Sequence, residues 1–212
     1  MGGKRNKEER RNMAVELKKG QKVSLVKKGA SLGEVLINLN WSQPKKKGLF
    51  FKRSNAIDLD LGCLFELKGQ GLEGAKGCVQ ALGNAFGSLQ QPPFIALDGD
   101  DRSGANTAGE NLRVNGVHIS QIKRILVYTF IYEGVANWQE ADGIVTVKCP
   151  GSDDVVVRMD EYGSKLGMCA IALLENQNDE TFSVEKIVQF FQSHPDMDRA
   201  FNWGLNWKPG RK

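Results

Sequence analysis

The chain has 212 residues, of which 41% are hydrophobic and 25% charged, as is ordinary for a folded globular protein. This length can bury a core without disulfide or metal staples, and it fits one large domain or two small ones. No apolar run reaches the length of a membrane span and no signal peptide is recognisable, so the sequence predicts a cytosolic protein.

The positive charge is concentrated at the N-terminus. The first twelve residues contain five Lys or Arg and two Glu, whereas the whole chain carries a formal net charge of +4. The rest is therefore close to neutral. We predict a basic flexible arm over residues 1–13 and a single domain over residues 14–212. The arm is short and has no aromatic residue, which favours a solvated tail over an arm that binds nucleic acid.

Alternation of apolar and polar residues predicts strands in the N-terminal third of the chain. Residues 15–29 alternate on both sides of a Lys-Gly turn and predict a hairpin. Residues 35–41 place Val, Ile, Leu and Trp on one face of the next strand. Residues 56–67 form the clearest strand pattern, and Cys63 shares the parity of its apolar residues. No cysteine pair has the spacing of a zinc or thioredoxin motif, so we expect buried, reduced thiols.

The rest of the chain also favours strands over helices. Residues 69–87 are typical of glycine-rich hairpins, and the run QPPFIAL leads into an acidic loop. The run TFSVEKIVQFFQS fits both a helix and a strand. Pro195, followed by Asp196 and Asp198, predicts a short helix near the C-terminus. Four further strands are predicted for IKRILVYTFIY, DGIVTVKC, DDVVVRMDEYG and GMCAIALLE. About ten short strands indicate an all-β sandwich or barrel.

Two aspartates interrupt the clearest strand. Asp58 and Asp60 are two residues apart, so they project from one face, about 6.5–7 Å apart along the strand. Taken alone, they are best explained as part of a solvent-exposed face, because exposed aspartate is common. Aspartate is nevertheless disfavoured in strands, so a pair in a strand that reads as central needs an explanation.

The loop FIALDGDDRSGANTAGENLRV supplies a possible reason, because its acids are closely spaced. Asp98, Asp100, Asp101 and Glu110 are opposed only by Arg102. Crowded carboxylates repel one another unless a cation neutralises them, and Ca²⁺ takes six to eight oxygen ligands. The loop does not fit an EF-hand, because Arg, Ser and Gly stand where ligands or the invariant Gly are needed. A calcium site would therefore combine this loop with another segment.

The sequence gives little support to a zinc site, a phosphate-binding loop or a catalytic site. The chain has only two histidines, His118 and His194, which argues against zinc. The run GQGLEGAKG imitates a phosphate-binding loop, but Ala75 stands at the lysine position and no helix pattern follows. No serine-hydrolase elbow is present, and the acids mark no substrate pocket, so we expect no enzymatic activity.

The basic loop after the third predicted strand, together with the N-terminal arm, leaves an alternative function open. It could contact an acidic membrane surface or single-stranded nucleic acid, with nucleic acid the less favoured partner. The simpler interpretation is a lysine-rich loop whose phenylalanines fold back onto the core. The residues concerned are Lys45, Lys46, Lys47, Phe50, Phe51, Lys52 and Arg53.

The ordered motifs of the chain resemble those of a known family. The strand ending in NLNW, then IDLDLGCLFEL, a GDD-containing loop, ENLRVN and ILVYTFIYEG resemble the TerD family of tellurium-resistance and stress proteins. The stretches QALGN, WQEADGIVTVKCPG, GMCAIALLEN and FNWGLNWKPGRK are similar to its TerA branch. The resemblance covers residues 14–212 and implies a sandwich of two sheets that binds calcium through clustered acids, with no known catalysis.

The resemblance also implies which positions would hold calcium. The family's D-L-D motif falls on Asp58 and Asp60, its G-D-N loop on Gly99, Asp100 and Asp101, its later acidic cluster on residues 108–110, and its acid at a strand end on Glu133. Ser42 replaces a family acid, and the cluster is reduced to Glu110. We therefore expect one Ca²⁺ or weak binding, by residues Asp58, Asp60, Asp98, Asp100, Asp101, Glu110 and Glu133.

The family resemblance further implies a cellular setting. Its members are thought to work with other tellurium-resistance proteins and with a membrane protein. The corresponding expectation for this chain is a cytoplasmic stress-response protein, either free or peripheral at the inner face of the membrane. The mechanism of tellurite resistance and the identity of a direct partner do not follow from the sequence.

Overall fold

The computed structural model describes residues 14–25, 32–42, 57–69, 71–99, 109–133, 137–161 and 163–210. Strands dominate these ranges, together with two short helices and two 3-10 turns at Leu82–Asn84 and Gly116–Gln121. The strands are β1 (Ala14–Glu16), β2 (Lys22–Ser24), β3 (Glu34–Asn40), β4 (Asp58–Leu67), β5 (Lys76–Val79), β6 (Gly87–Ser88), β7 (Ile95–Leu97), β8 (Glu110–Asn115), β9 (Ile122–Glu133), β10 (Ile144–Lys148), β11 (Asp154–Arg158), β12 (Met168–Gln177) and β13 (Thr181–Phe191), and the helices are α1 (Trp138–Ala141) and α2 (His194–Ala200).

The strands form two sheets. Sheet A has the order β1-β11-β10-β3-β8-β7-β6, and sheet B has the order β2-β13-β12-β9-β4-β5. Neighbouring strands are antiparallel except for β1 and β11, which are parallel. The predicted all-β fold with two mainly antiparallel sheets and a short helix near the C-terminus is therefore confirmed.

Alternation along the strands builds the core between the sheets. In β3, Val35, Ile37 and Leu39 are fully buried, and in β4 Leu59 and Leu61 are their counterparts. Burial of such a side chain contributes about 1.5–3 kcal/mol, so these strands hold the two sheets together. Cys63 and Leu67 continue this buried face of β4, whereas the alternate residues, including both aspartates, face away from this core because successive side chains point to opposite faces.

The N-terminal hairpin prediction is wrong. β1 pairs with β11 in sheet A, whereas β2 pairs with β13 in sheet B. A turn around Gly20, which has a φ of 72°, carries the chain from one sheet to the other. The alternation identified two strands correctly, but it cannot tell whether a strand pairs with its neighbour in sequence or with a distant partner.

The ambiguous segment near the C-terminus is strand β13, since it pairs with β12 along most of its length. The predicted short helix is confirmed as α2. Ser193 caps this helix by accepting a hydrogen bond from the backbone N–H of Asp196. Asp198 does not serve the helix end as expected. Its carboxylate accepts hydrogen bonds from the backbone N–H of Gly204 and Leu205 and from Trp207 Nε1 instead.

The outer face of sheet B carries a second apolar cluster, under α2 and the C-terminal segment, residues 201–210. Trp203 is 1% exposed and donates from Nε1 to the carbonyl oxygen of Phe65 at 3.0 Å. The guanidinium of Arg124 lies 3.8 Å from the centre of the Trp203 ring. The buried members of the cluster are Leu64, Leu126, Tyr128, Phe130, Met168, Ala170, Phe191, Met197 and Trp203.

The four cysteines are all free thiols. Cys63, Cys149 and Cys169 are buried, as the sequence predicts, and Cys78 is half-buried. Neither helix that the structure describes is long and apolar enough to cross a membrane.

Candidate metal site

The candidate site lies at the beginning of β4, where the strand lacks a partner on one side. β9 pairs along the whole of β4, but β5 pairs only with Cys63 to Glu66. Among the described strands, none hydrogen-bonds to the other edge of Asp58–Gly62. The backbone groups on that edge are therefore available to side chains from other parts of the fold.

Glu110 reaches this edge from the other sheet. It begins β8 in sheet A, opposite Leu39 of β3, and its side chain points toward the interior. Its Oε2 accepts a hydrogen bond from the backbone N–H of Leu61 at 2.6 Å. Since Leu61 directly follows Asp60, this bond places a carboxylate of sheet A beside the acidic end of β4 in sheet B.

Gly109 allows the chain to enter β8 in this position. Its φ of 70° is in the left-handed region, and a Cβ built on it would lie 2.1 Å from the carbonyl oxygen of Leu39. Only glycine avoids both the backbone strain and this clash. The close approach of Gly109 to β3 therefore fixes where the Glu110 side chain starts.

The two aspartates of β4 are both withdrawn from solvent. Asp60 is 1% exposed and Asp58 is half-buried. Oδ1 of Asp58 and Oδ2 of Asp60 are themselves buried. This corrects the simpler interpretation of the sequence, in which the pair belongs to an exposed face. Buried carboxylates in proteins are normally paired with cations or coordinated to metals.

Asp60 also acts electrostatically on Tyr128, which lies over the same face of β4. Burial raises the pKa of the Tyr128 hydroxyl well above its usual value, and the nearby Cys78, Cys63 and Asp60 raise it further. The hydroxyl donates to Oε1 of Gln80 at 2.6 Å. Tyr128 therefore stays neutral and connects the acidic end of β4 with the beginning of the β5–β6 connection.

Asp98 occupies a different environment from the other acids. Both of its carboxylate oxygens accept from Nε of Arg113, at 2.7 and 2.9 Å, and Nη1 of Arg113 donates to Glu34. These hydrogen bonds to Asp98 and Glu34 raise the pKa of Arg113. Leu97 is buried in the core, so Asp98 projects from the outer face of sheet A, away from the face that bears Glu110.

The remaining predicted ligands are only partly described. The backbone of Glu133 lies opposite Asp58 in the β4–β9 ladder. Asp100 and Asp101 lie outside the described residues, as does the whole basic loop with Lys45, Lys46, Lys47, Phe50, Phe51, Lys52 and Arg53. Calcium binding by Asp100 and Asp101 therefore stays a prediction.

The oxygen donors at the beginning of β4 are of the kind that a hard cation prefers. Asp58, Asp60 and Glu110 offer carboxylates, and Ca²⁺ prefers such ligands whereas zinc favours Cys and His. Within the described ranges, no group of three or more His, Cys, Asp or Glu residues is already close enough to hold a metal ion. A complete calcium shell would therefore need further oxygens from water or from the segment between Gly99 and Gly109.

Sequence comparisons identify the family of this fold. The TerD domain model matches residues 13–150. The chain belongs to the TerD domain family. It is also 43% identical over 194 residues to the tellurium resistance protein TerA of an Alcaligenes species. That alignment covers 90% of this chain and 56% of the relative, so the chain spans little more than half of the relative's length. The resemblance to the TerD family and its TerA branch is confirmed.

Two solved structures share the TerD-like fold. One, a protein of unknown function, has a TM-score of 0.58 at 13% identity, covering 84% of this chain and 100% of its own. The other, a homologue of a telluride resistance protein (TerD) from Streptomyces coelicolor A3(2), has a TM-score of 0.55 at 15% identity, covering 82% and 99%. In this chain, β11, β12 and β13 of the sandwich follow the residues matched by the TerD model.

Proposed function

We propose that this TerD-family chain is a non-enzymatic stress-response protein that binds calcium at the acidic end of β4 and contributes to tellurite resistance. The observation that carries the calcium proposal is the hydrogen bond from the Leu61 backbone to Glu110. It brings an acid from sheet A to the backbone N–H of the residue that follows Asp60 in sheet B. A cation held by Glu110 and Asp60 would attach to both sheets, so binding would stabilise the contact between the layers.

The role in tellurite resistance is supported by the name of the TerA relative and by family membership. We extend the proposal to action with other tellurium-resistance proteins, in the cytoplasm or at the inner face of the membrane. In this role the chain would supply a calcium-dependent binding surface and would carry out no reaction of its own.

Calorimetry of the calcium-free protein with added Ca²⁺ tests the proposal. We expect heat of binding in the unchanged protein and at least a tenfold weaker affinity in Asp60→Asn, since one charged ligand is lost while the volume is kept. Asp58→Asn and Glu110→Gln should weaken binding in the same direction. Calcium at 100 times its dissociation constant should also stabilise the fold by about 2.7 kcal/mol.

A matched control distinguishes ligand loss from a change in net charge. Asp153 is exposed in the β10–β11 turn, so Asp153→Asn removes the same charge far from the acids of β4. It should leave the affinity for Ca²⁺ within twofold of the original. Equal weakening by Asp153→Asn and Asp60→Asn, or unchanged binding in both, would refute a site at β4. Circular dichroism would verify that each variant is folded.

A further inference from the structure

A cleft of about 810 Å³ lies between the C-terminal segment and the β5–β6 connection. Its walls include Lys76, Cys78, Gln80, His194, Trp207 and Lys208. Clefts of this size, with mostly apolar walls and a few polar groups, are typical of small-molecule sites. Gly210 lies close to Leu82 and Gly83, so the end of the C-terminal segment closes one side of the cleft.

The charges around the cleft favour an anion. Lys76 and Lys208 are the charged residues among those that line it, and no Asp or Glu of the described residues takes part. Lys76 donates to the carbonyl oxygen of Trp203 at 3.0 Å, and Lys208 is exposed. A low-dielectric wall with cations at its mouth raises the local concentration of anions.

Gln80 supplies a directed hydrogen-bond donor. The residue is 6% exposed, and its Oε1 accepts from the hydroxyl of Tyr128. This bond fixes the orientation of the amide. The described residues provide no hydrogen-bond acceptor for its Nε2 group. This donor is open to water in the cleft, and a ligand oxygen would take the place of that water as its acceptor.

Aromatic rings form the wall beside this donor. The rings of His194 and Trp207 have centroids 4.9 Å apart, and His194 also meets Tyr128 edge-on at 5.4 Å. Trp207 is held in place because its Nε1 donates to Asp198. Burial lowers the pKa of His194 to about 4, so this ring is neutral at pH 7 and behaves as part of the aromatic wall.

We propose that this cleft binds a small organic anion that carries a flat ring. The ring would lie against Trp207 and His194, an oxygen would accept from Gln80 Nε2, and the negative charge would face Lys76 and Lys208. The proposal does not depend on calcium binding at β4, and its test contains no calcium.

Cys78 provides a reporter inside the cleft. The other three cysteines are at most 4% exposed, whereas Cys78 is half-buried and lines the cleft. Burial raises the pKa of the Cys78 thiol, so the reaction is followed in mildly alkaline buffer. The rate of alkylation by the neutral reagent N-ethylmaleimide, measured by mass spectrometry on the full chain, reports access to the cleft. Cys78→Ser should abolish the reaction in the folded protein.

Three probes distinguish the contribution of a flat ring to binding from the contribution of a negative charge. We expect 2-naphthoate at low millimolar concentration to slow alkylation of Cys78 at least fivefold. The neutral 2-naphthamide should need a roughly fivefold higher concentration for half protection, and acetate should give none. The absence of protection by 2-naphthoate, or equal protection by acetate, would overturn the proposal.

Two charge variants at exposed positions and one variant of the buried Gln80 test where the anion binds. Lys208→Glu should raise the half-protecting concentration of 2-naphthoate about tenfold, which corresponds to about 1.4 kcal/mol. Lys148→Glu makes the same charge change at an exposed position of sheet A and should alter it less than twofold. Gln80→Glu, which keeps an acceptor for Tyr128 but removes the donor, should abolish protection. Equal effects of the two lysine variants would place the anion outside the cleft.

Discussion

The outer faces of the two sheets differ in how they are completed. On sheet A, Arg113 joins Glu34 and Asp98 across neighbouring strands, and all three side chains are at least one third exposed. On sheet B, α2 and the C-terminal segment cover a second apolar cluster that includes Trp203. Exposed ion pairs contribute about 0–1 kcal/mol, whereas burial of a large aromatic side chain contributes several times more. The covered outer face of sheet B should therefore contribute more to the stability of the fold than the outer face of sheet A does.

The largest expected effect tests the cover of sheet B. Trp203→Ala removes a fully buried ring, its hydrogen bond to Phe65 and the ring that Arg124 stacks on. We expect a loss of about 3–5 kcal/mol in the free energy of unfolding, measured with urea. Arg113→Ala on sheet A is the control and should cost less than about 1 kcal/mol. Similar losses for the two variants would show that the covering layer adds no extra stability.

A smaller change in stability is expected from the protonation of His194, which lies in α2 over the outer face of sheet B. Burial lowers the pKa of His194 to about 4, from an ordinary value of 6.5. The unfolded chain therefore binds a proton at a higher pH than the folded chain does. The stabilising contribution is complete above about pH 6.5 and is lost as the pH falls toward 4.

The size of this pH effect should be about 2–3 kcal/mol, as the pKa shift implies. It can be measured as the difference between urea unfolding at pH 7 and at pH 4.5. His194→Phe keeps a ring against Tyr128 and Phe130 and removes the titration, so its stability should change less over this range. An unchanged pH dependence in His194→Phe would contradict the assignment to this histidine.

The smallest effect concerns Asp98, on the outer face of sheet A. Asp98→Asn weakens its contact with Arg113 and should lower stability by about 0.2–1 kcal/mol. Because Asp98 lies on the outer face of sheet A, away from the face that bears Glu110, this change should leave the affinity for Ca²⁺ within twofold of the original. A loss as large as that of Asp60→Asn, measured by calorimetry, would restore Asp98 as a ligand and show that the Arg113 pair opens when calcium binds.

The sequence was most informative where one strand has one buried face. The alternation in β3 and β4 predicted the buried residues Ile37 and Leu61 because the pleat has a strict period of two. The same rule, applied to Ile95 and Leu97, would have placed Asp98 on the outer face. β8 directly follows the acidic loop, and its Leu112 and Val114 alternate with polar residues in the same way.

Other features depend on contacts between distant segments. No local pattern reveals that Glu110 accepts from Leu61, since these residues are 49 positions apart and lie in different sheets. Likewise, the acids at Asp196 and Asp198 look equivalent in sequence, but one lies at the helix N-terminus and the other binds the C-terminal segment. Register and long-range pairing decide such outcomes, and they are properties of the assembled fold.

The division of β1 and β2 between the two sheets has a consequence for biosynthesis. Ala14 pairs with Asp154 and Val23 with Val184, so both strands wait for partners made much later. Ribosomes add about 5–20 residues per second, which makes this delay several seconds or longer. Until β10 is made, the edge of β3 that β10 later covers has no strand partner, and unpaired strand edges are sites of aggregation. Among the described strands, β1 and β2 should therefore be among the last to find their places.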